Sequence, residues 1–180
     1  LKKIISATLV ALSCAASAAD YFSVDIDSVN DQVSGARSTA QYIRAGKELV
    51  GIQMGVQGRT AISQAGGMLS SLEVTGGKNI GPFTPFVGVG FDNGANGARN
   101  ADYKYGLVGA TAGMKAGPGF ALAGVKTRLG TTAAVETKQT VVFGTYSVPV
   151  AKNVAVNLNA SKSYQDIQEN AFGLGVGISF

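Results

Sequence analysis

Strict alternation of apolar with small or polar residues limits this chain's fold more than any other feature, and it is cleanest over the final stretch. There Phe172, Leu174, Val176, Ile178 and Phe180 are separated by Gly173, Gly175, Gly177 and Ser179. Successive side chains of a strand point to opposite faces, so this segment has one greasy face and one almost bare one. Phe22, Val24 and Ile26 alternate in the same way with Ser23, Asp25 and Asp27, and Ile52, Met54 and Val56 with Gln53, Gly55 and Gln57. Val154, Val156 and Leu158 do so with Ala155, Asn157 and Asn159. Beyond the first twenty or so residues no segment sustains a 3.6-residue apolar period, and none has the roughly 20 apolar residues of a membrane helix.

The amino-terminal stretch reads differently. Lys2 and Lys3 precede an apolar run from Ile4 to Ala16, and Ala16-Ser17-Ala18 supplies the small residues a signal peptidase needs. Residues 1–18 are therefore expected to be a cleavable signal peptide, cut after Ala18, with residues 19–180 forming one domain. A membrane anchor is the competing reading, but the run is short and no stop-transfer pattern follows it. Cys14 raises a lipoprotein alternative that Ala11-Leu12-Ser13 matches poorly. With Cys14 removed, the chain holds no cysteine for a disulfide or thiolate metal site. Losing Lys2 and Lys3 also lowers the net charge of +4, and no nucleic-acid partner is expected.

Period two fits a soluble sandwich as well as a membrane barrel, because either has one apolar and one polar face. The 25 glycines and absence of tryptophan are unusual for a soluble core. Short polar breaks containing Lys47, Lys78, Lys115 and Lys152 recur at intervals that each hold two strands. They are Gly46-Lys47-Glu48, Lys78 to Pro82, Lys115 to Gly119 and Ala151-Lys152-Asn153. The spacing predicts strands over 20–28, 37–46, 50–62, 68–77, 83–92, 102–115, 119–130, 136–149, 153–164 and 171–180. Ten strands place both termini at one end; eight is the alternative, because 37–46 alternates poorly and leaves the facing of Arg44 open. Phe172 and Phe180 share a face, as do Phe83 and Phe91, each pair about 20 Å apart along a tilted strand, close to the apolar height of a membrane barrel. Pro85 predicts that strand five starts late or bulges. The expected fold is thus an all-β, closed, up-and-down antiparallel transmembrane β-barrel, since only closure removes sheet edges in lipid.

The segment from Ala171 to Phe180 resembles the closing strand of Gram-negative outer-membrane proteins, and with the leader it makes the whole chain similar to the small opacity and OmpX-like barrels. That resemblance implies residence in a bacterial outer membrane, contact with its lipid, and recognition of Phe180 by the barrel-assembly machinery. The longest candidate loop runs from Asp92 to Asp102.

Histidine is absent, which removes the usual base of hydrolytic chemistry. Asp25 and Asp27 point to one side of their strand and could act as acids, but an internal salt-bridge layer is the simpler role. Arg59, Lys126 and Arg128 are the candidate inward bases, and Glu73 and Glu136 additional acids. Such charges either pair and seal a narrow lumen or line water and set an ion preference, and the three bases suggest anions. The glycine face of the last strand suggests free volume and a narrow wet path. Asp92 to Asp102 has oxygen ligands but not the spacing of a calcium loop, and Gly-Val-Gly and Gly-Leu-Gly lack a dinucleotide fingerprint. No catalytic, cofactor or metal site is expected. The leading expectation is a non-enzymatic outer-membrane barrel, either a narrow passive path for small solutes or a structural component. A surface interaction protein acting through loops at Asp92 to Asp102 and Val29 to Ala36 is the alternative, and a histidine-free enzyme a third class.

Overall fold

The computed structural model describes residues 20–64, 67–96, 99–100, 103–132 and 135–180. Its strands are β1 (Tyr21–Asp31), β2 (Arg37–Leu49), β3 (Ile52–Ser63), β4 (Met68–Gly77), β5 (Phe83–Asn96), β6 (Arg99–Asn100), β7 (Tyr103–Ala116), β8 (Gly119–Thr132), β9 (Val135–Ala151), β10 (Val154–Gln165) and β11 (Glu169–Ser179). The two-residue β6 folds back on the end of β5, with Ala95 opposite Asn100. The ten long strands pair antiparallel in chain order, and β1 pairs with β11 from Tyr21 opposite Ser179 to Asp31 opposite Glu169. The sheet therefore closes into an up-and-down barrel with no open edge. The expected leader and its cleavage point at Ala18, together with part of the Asp92 to Asp102 loop, lie outside the described residues.

Registers fix the barrel's shape. Stepping from strand to strand along paired residues, from Asp25 once around the ring, ends about 12 residues further along β1. For ten strands that stagger requires a tilt of roughly 40° and a backbone diameter of roughly 20 Å. The same registers carry one parity around the whole ring, so the pleat assigns each side chain to lumen or exterior. Phe83, Val87, Val89 and Phe91 of β5, Val108 of β7, Val125 and Leu129 of β8, and Phe172 to Ile178 of β11 face outward and are exposed. Both phenylalanine pairs thus lie on the outer surface, as their spacing predicts.

Three local features differ from expectation. The β2–β3 turn does not fall at Gly46-Lys47-Glu48, because β2 continues through those residues, with Lys47 opposite Met54 and Glu48 opposite Gln53. Val50 and Gly51 make the turn instead, both with positive φ, 54° and 76°, the geometry of a two-residue hairpin loop matched to strand twist. Pro85 neither delays nor bulges β5, which starts at Phe83. Its missing N–H faces the end of β4, beyond the last paired residues Gly77 and Phe86, so little of the ladder is lost. The glycine face of β11 is not empty either: a Cβ on Gly173 would collide with the Asp27 carboxylate, and one on Gly175 with that of Asp25. Those glycines are bare so that two buried aspartates of β1 can lie across the closing seam.

Valine is β-branched and ill suited to a left-handed backbone. Because Val50 is fully exposed, Val50→Asn should create a favoured Asn-Gly turn and stabilise the barrel by about 1 kcal/mol. Urea unfolding of the refolded protein, followed by tyrosine fluorescence, should show a higher midpoint with an unchanged slope.

Candidate functional site

The lumen gathers the chain's buried charge. Asp25, Asp27, Arg59, Glu73, Lys126 and Arg128, the six sequence candidates, all sit on the inner face and are buried. Their strands put them there by period two: Asp25 pairs with Tyr42, Tyr42 with Arg59, and Arg59 with Ser71, one residue pair away from Glu73 on the same face.

Five of them form three groups, and Asp27, whose Oδ1 accepts no hydrogen bond among the described residues, lies against Gly173 across the seam. Asp25 carries the first. It is ion-paired with Arg44, accepts hydrogen bonds from Ser23 Oγ at 3.0 Å and Asn159 Nδ2 at 2.8 Å, and has Asn157 Nδ2 at 3.4 Å. Arg44 Nε also donates to Gln57 Oε1 at 2.9 Å. One carboxylate thus ties together side chains from β1, β2 and β10 across β11. Glu73 carries the second group: Arg128 donates to its Oε2 from Nη2 at 2.7 Å and Nε at 3.1 Å, while Lys126 pairs with Oε1. Arg128 Nη1 donates to Gln139 Oε1 at 2.8 Å, and its guanidinium lies 5.0 Å from the centre of the Tyr105 ring. The third is Arg59 with Glu169, 3.4 Å apart. The Tyr42 ring has the Arg44 guanidinium at 4.7 Å and that of Arg59 at 5.7 Å. The second and third groups join strands that are not neighbours, so they cross part of the lumen.

Space is distributed unevenly along the axis. A cavity of about 860 Å³ reaches from the end that carries the termini, at Tyr21, Asn79 and Asn153, to the charged groups at Arg59, Glu73 and Arg128. Its lower wall mixes the neutral polar side chains of Gln53, Thr75, Thr111, Ser147 and Asn157 with the apolar Phe86, Phe120 and Phe143. Towards the far end, Val29, Ala40 and Ala61 pack into one buried cluster, and Tyr103, Tyr105 and Leu107 into another that also takes Phe86 and Ile167. The Tyr103 and Tyr105 rings stack at 4.9 Å. The lumen is therefore a vestibule open towards the termini, with an ion-paired middle and a packed far end.

Sequence reading missed four members of this set. Arg44 was undecided because its neighbours Ile43 and Ala45 are both apolar; the register with β1 turns it inward. Asp92 and Glu169 fall at the margins of the predicted strands, but β5 extends to Asn96 and β11 starts at Glu169, which brings both carboxylates into the barrel. Gln139 is neutral, and only its 1 % exposure and its bond to Arg128 mark it. The side chain of Glu136 lies outside the described residues. Phe180 donates its N–H to the Asp20 carbonyl at 3.0 Å and leaves its ring exposed. Among the described residues no cluster of histidine, cysteine or carboxylates has the arrangement of a metal site.

Glu73 neutralises two bases, so Glu73→Gln leaves buried positive charge uncompensated. That change should cost on the order of 3 kcal/mol, whereas Gln139→Leu, which removes one neutral acceptor, should cost about 1 kcal/mol. Chemical unfolding of each variant in detergent micelles checks the ranking.

The chain matches no protein-family model and no curated protein. Among solved structures it is similar to the translocator domain of the autotransporter NalP from Neisseria meningitidis, at 12 % identity and a TM-score of 0.58, over 89 % of this chain and 87 % of that one. Two weaker likenesses are Neisserial surface protein A, at 13 % identity, a TM-score of 0.47 and 89 % and 96 % coverage, and the N-terminal β-barrel domain of Pseudomonas aeruginosa OprF, at 12 % identity, a TM-score of 0.38 and 90 % and 98 % coverage. The NalP domain superposes closely enough to argue from, and at that identity the likeness establishes a shared β-barrel fold.

Proposed function

We propose that this chain is an integral β-barrel of a bacterial outer membrane, without enzymatic activity, which serves as a structural envelope component with at most a narrow path for small ions. One observation carries the reading: the barrel turns a band of apolar side chains outward and buries Asp25, Asp27, Arg59, Glu73, Asp92, Lys126 and Arg128 inside, the reverse of a soluble protein. Short turns and both termini at one end fit the periplasmic side of such barrels.

The lumen favours the structural variant. Ten strands lie nearer the filled barrels than the porins of 16 to 18 strands, and Arg59–Glu169 and Glu73–Lys126–Arg128 span the space that a solute would need. The expected anion preference is also revised. With Arg44, Asp92 and Glu169 counted, five inward carboxylates meet four bases among the described residues at this level, which favours cations. The absence of histidine and the engagement of Asp25 and Glu73 in ion pairs support a non-catalytic role. At the far end, Asp31 Oδ1 accepts the N–H groups of Val33 and Ser34, which holds the β1–β2 turn tight and leaves little loop for a binding partner.

Planar-bilayer recording of the refolded protein tests this. The wild type should show no porin-sized openings, and any small conductance should prefer cations. Removing one bar with the Arg59→Ala/Glu169→Ala pair should raise conductance several-fold. Large, anion-preferring wild-type openings would overturn the reading.

A further inference from the structure

Two buried charged groups of the lumen carry atoms that the protein leaves unsatisfied. Asp27 Oδ1 and Arg59 Nε have no hydrogen-bond partner among the described residues, although the two residues are only 4 % and 7 % exposed. A buried charged group without a full set of partners costs stability, so the fold by itself does not account for either. Both line the cavity, from β1 and β3, with β2 between them.

The donors around Asp27 are committed elsewhere. Its register partners, Ala40 and Gly173, offer no polar side chain. Asn159, the next residue beyond Gly173, donates to Asp25 at 2.8 Å. Arg44 is ion-paired with Asp25 and donates to Gln57, and Arg59 turns its Nη2 to Glu169 at 3.4 Å. Moving either guanidinium to Asp27 would break an existing ion pair.

The cavity that reaches these atoms has the size of a small-molecule site, about 860 Å³ against roughly 300–1,000 Å³ for such sites in general. Its walls are of two kinds. Phe86 and Phe143 present rings, while Gln57, Thr111 and Asn157 present amides and hydroxyls that both donate and accept. Its charges do not select a charged ligand. Arg44, Arg59, Lys126 and Arg128 are each ion-paired, and Lys152 stands exposed at the mouth. A cation entering the cavity would face these bases, and an anion would face Asp27 and Glu73.

We infer that the vestibule is a binding cup for a neutral saccharide of one or two rings, held at its inner end by Asp27 and Arg59. One sugar hydroxyl donates to Asp27 Oδ1 and another oxygen accepts from Arg59 Nε, so a single ligand supplies both missing partners. The C–H faces of its rings lie against the phenylalanines, and its remaining hydroxyls meet the amide and hydroxyl wall. A zwitterion could serve Asp27 and Arg59 but would leave that wall unused. The packed far end makes this a cup and not a passage. Binding needs only the folded barrel, while entry from the periplasm rests on the membrane placement proposed above.

Saturation-transfer NMR of the refolded protein in phosphocholine micelles, which carry no sugar of their own, tests the cup with glucose, N-acetylglucosamine, maltose and trehalose. At least one should receive saturation at its ring C–H protons. Asp27→Ala should weaken that binding roughly tenfold, and its urea unfolding midpoint should be unchanged or higher, because the carboxylate has no partner to lose. Lys47→Gln, outside the cavity, should bind as the wild type does. The cup is refuted by no transfer to any of the four sugars, by undiminished binding in Asp27→Ala, or by tighter binding of phenylalanine or benzylammonium than of every sugar. A lowered midpoint in Asp27→Ala would also count against it, since Asp27 would then be a structural partner. Heat-dependent gel mobility in phosphatidylcholine bilayers reports separately on membrane insertion, so an inert cup in an inserted barrel is distinguishable from a chain that does not insert.

Discussion

Pairing of β1 with β11 is the contact on which the rest of this protein depends. An open ten-stranded sheet with this outer face would expose a row of unpaired N–H and C=O groups to hydrocarbon, at several kcal/mol for each unsatisfied group. Closure satisfies them all at once, and it joins strands at opposite ends of the chain. The seam is also where the tightest side-chain fit occurs: Asp25 and Asp27 lie over Gly175 and Gly173, where any Cβ would meet a carboxylate or a carbonyl. Asp25 then reaches across the seam to Asn159 and back to Arg44. The same residues therefore close the barrel and begin its ion network.

Closure at a fixed stagger sets the width of the lumen, and the width decides what its charges do. At roughly 20 Å between opposite backbones, long side chains from separated strands meet. Arg59 reaches Glu169 and Arg128 reaches Glu73, although each pair is far apart in sequence. In a wide porin such groups would line water; here they neutralise one another in a confined space where an unpaired charge is costly. The far half is further filled by tyrosine, leucine and valine, which leaves free volume towards the termini. A barrel built this way has an asymmetric lumen, and the structural role proposed above rests on that filling.

The outer surface obeys a second rule of charge. Acids that faced lipid would pay desolvation without a counterion, whereas lysines at the rim can extend to anionic head groups. Among strand residues whose side chains are described the carboxylates lie inside, while Lys104, Lys138 and Lys162 stand exposed at the edge with Asp166 against Lys138.

Much of this was legible from the residues alone. Period two with bare glycines, aromatic pairs about 20 Å apart and regularly spaced lysine turns gave the class, the strand number and nearly every strand, because each is a local consequence of pleat and turn chemistry. The inward facing of Asp25, Asp27, Arg59, Glu73, Lys126 and Arg128 followed from the same parity. Only the tertiary structure decided which charges meet, that Arg44, Asp92 and Glu169 belong among them, and that the glycines of β11 make room for aspartates rather than water. It also moved the β2–β3 turn to Val50-Gly51. Those facts depend on the register between strands and on the stagger of the closed ring, and a single strand's alternation does not encode how far it slides against its neighbour.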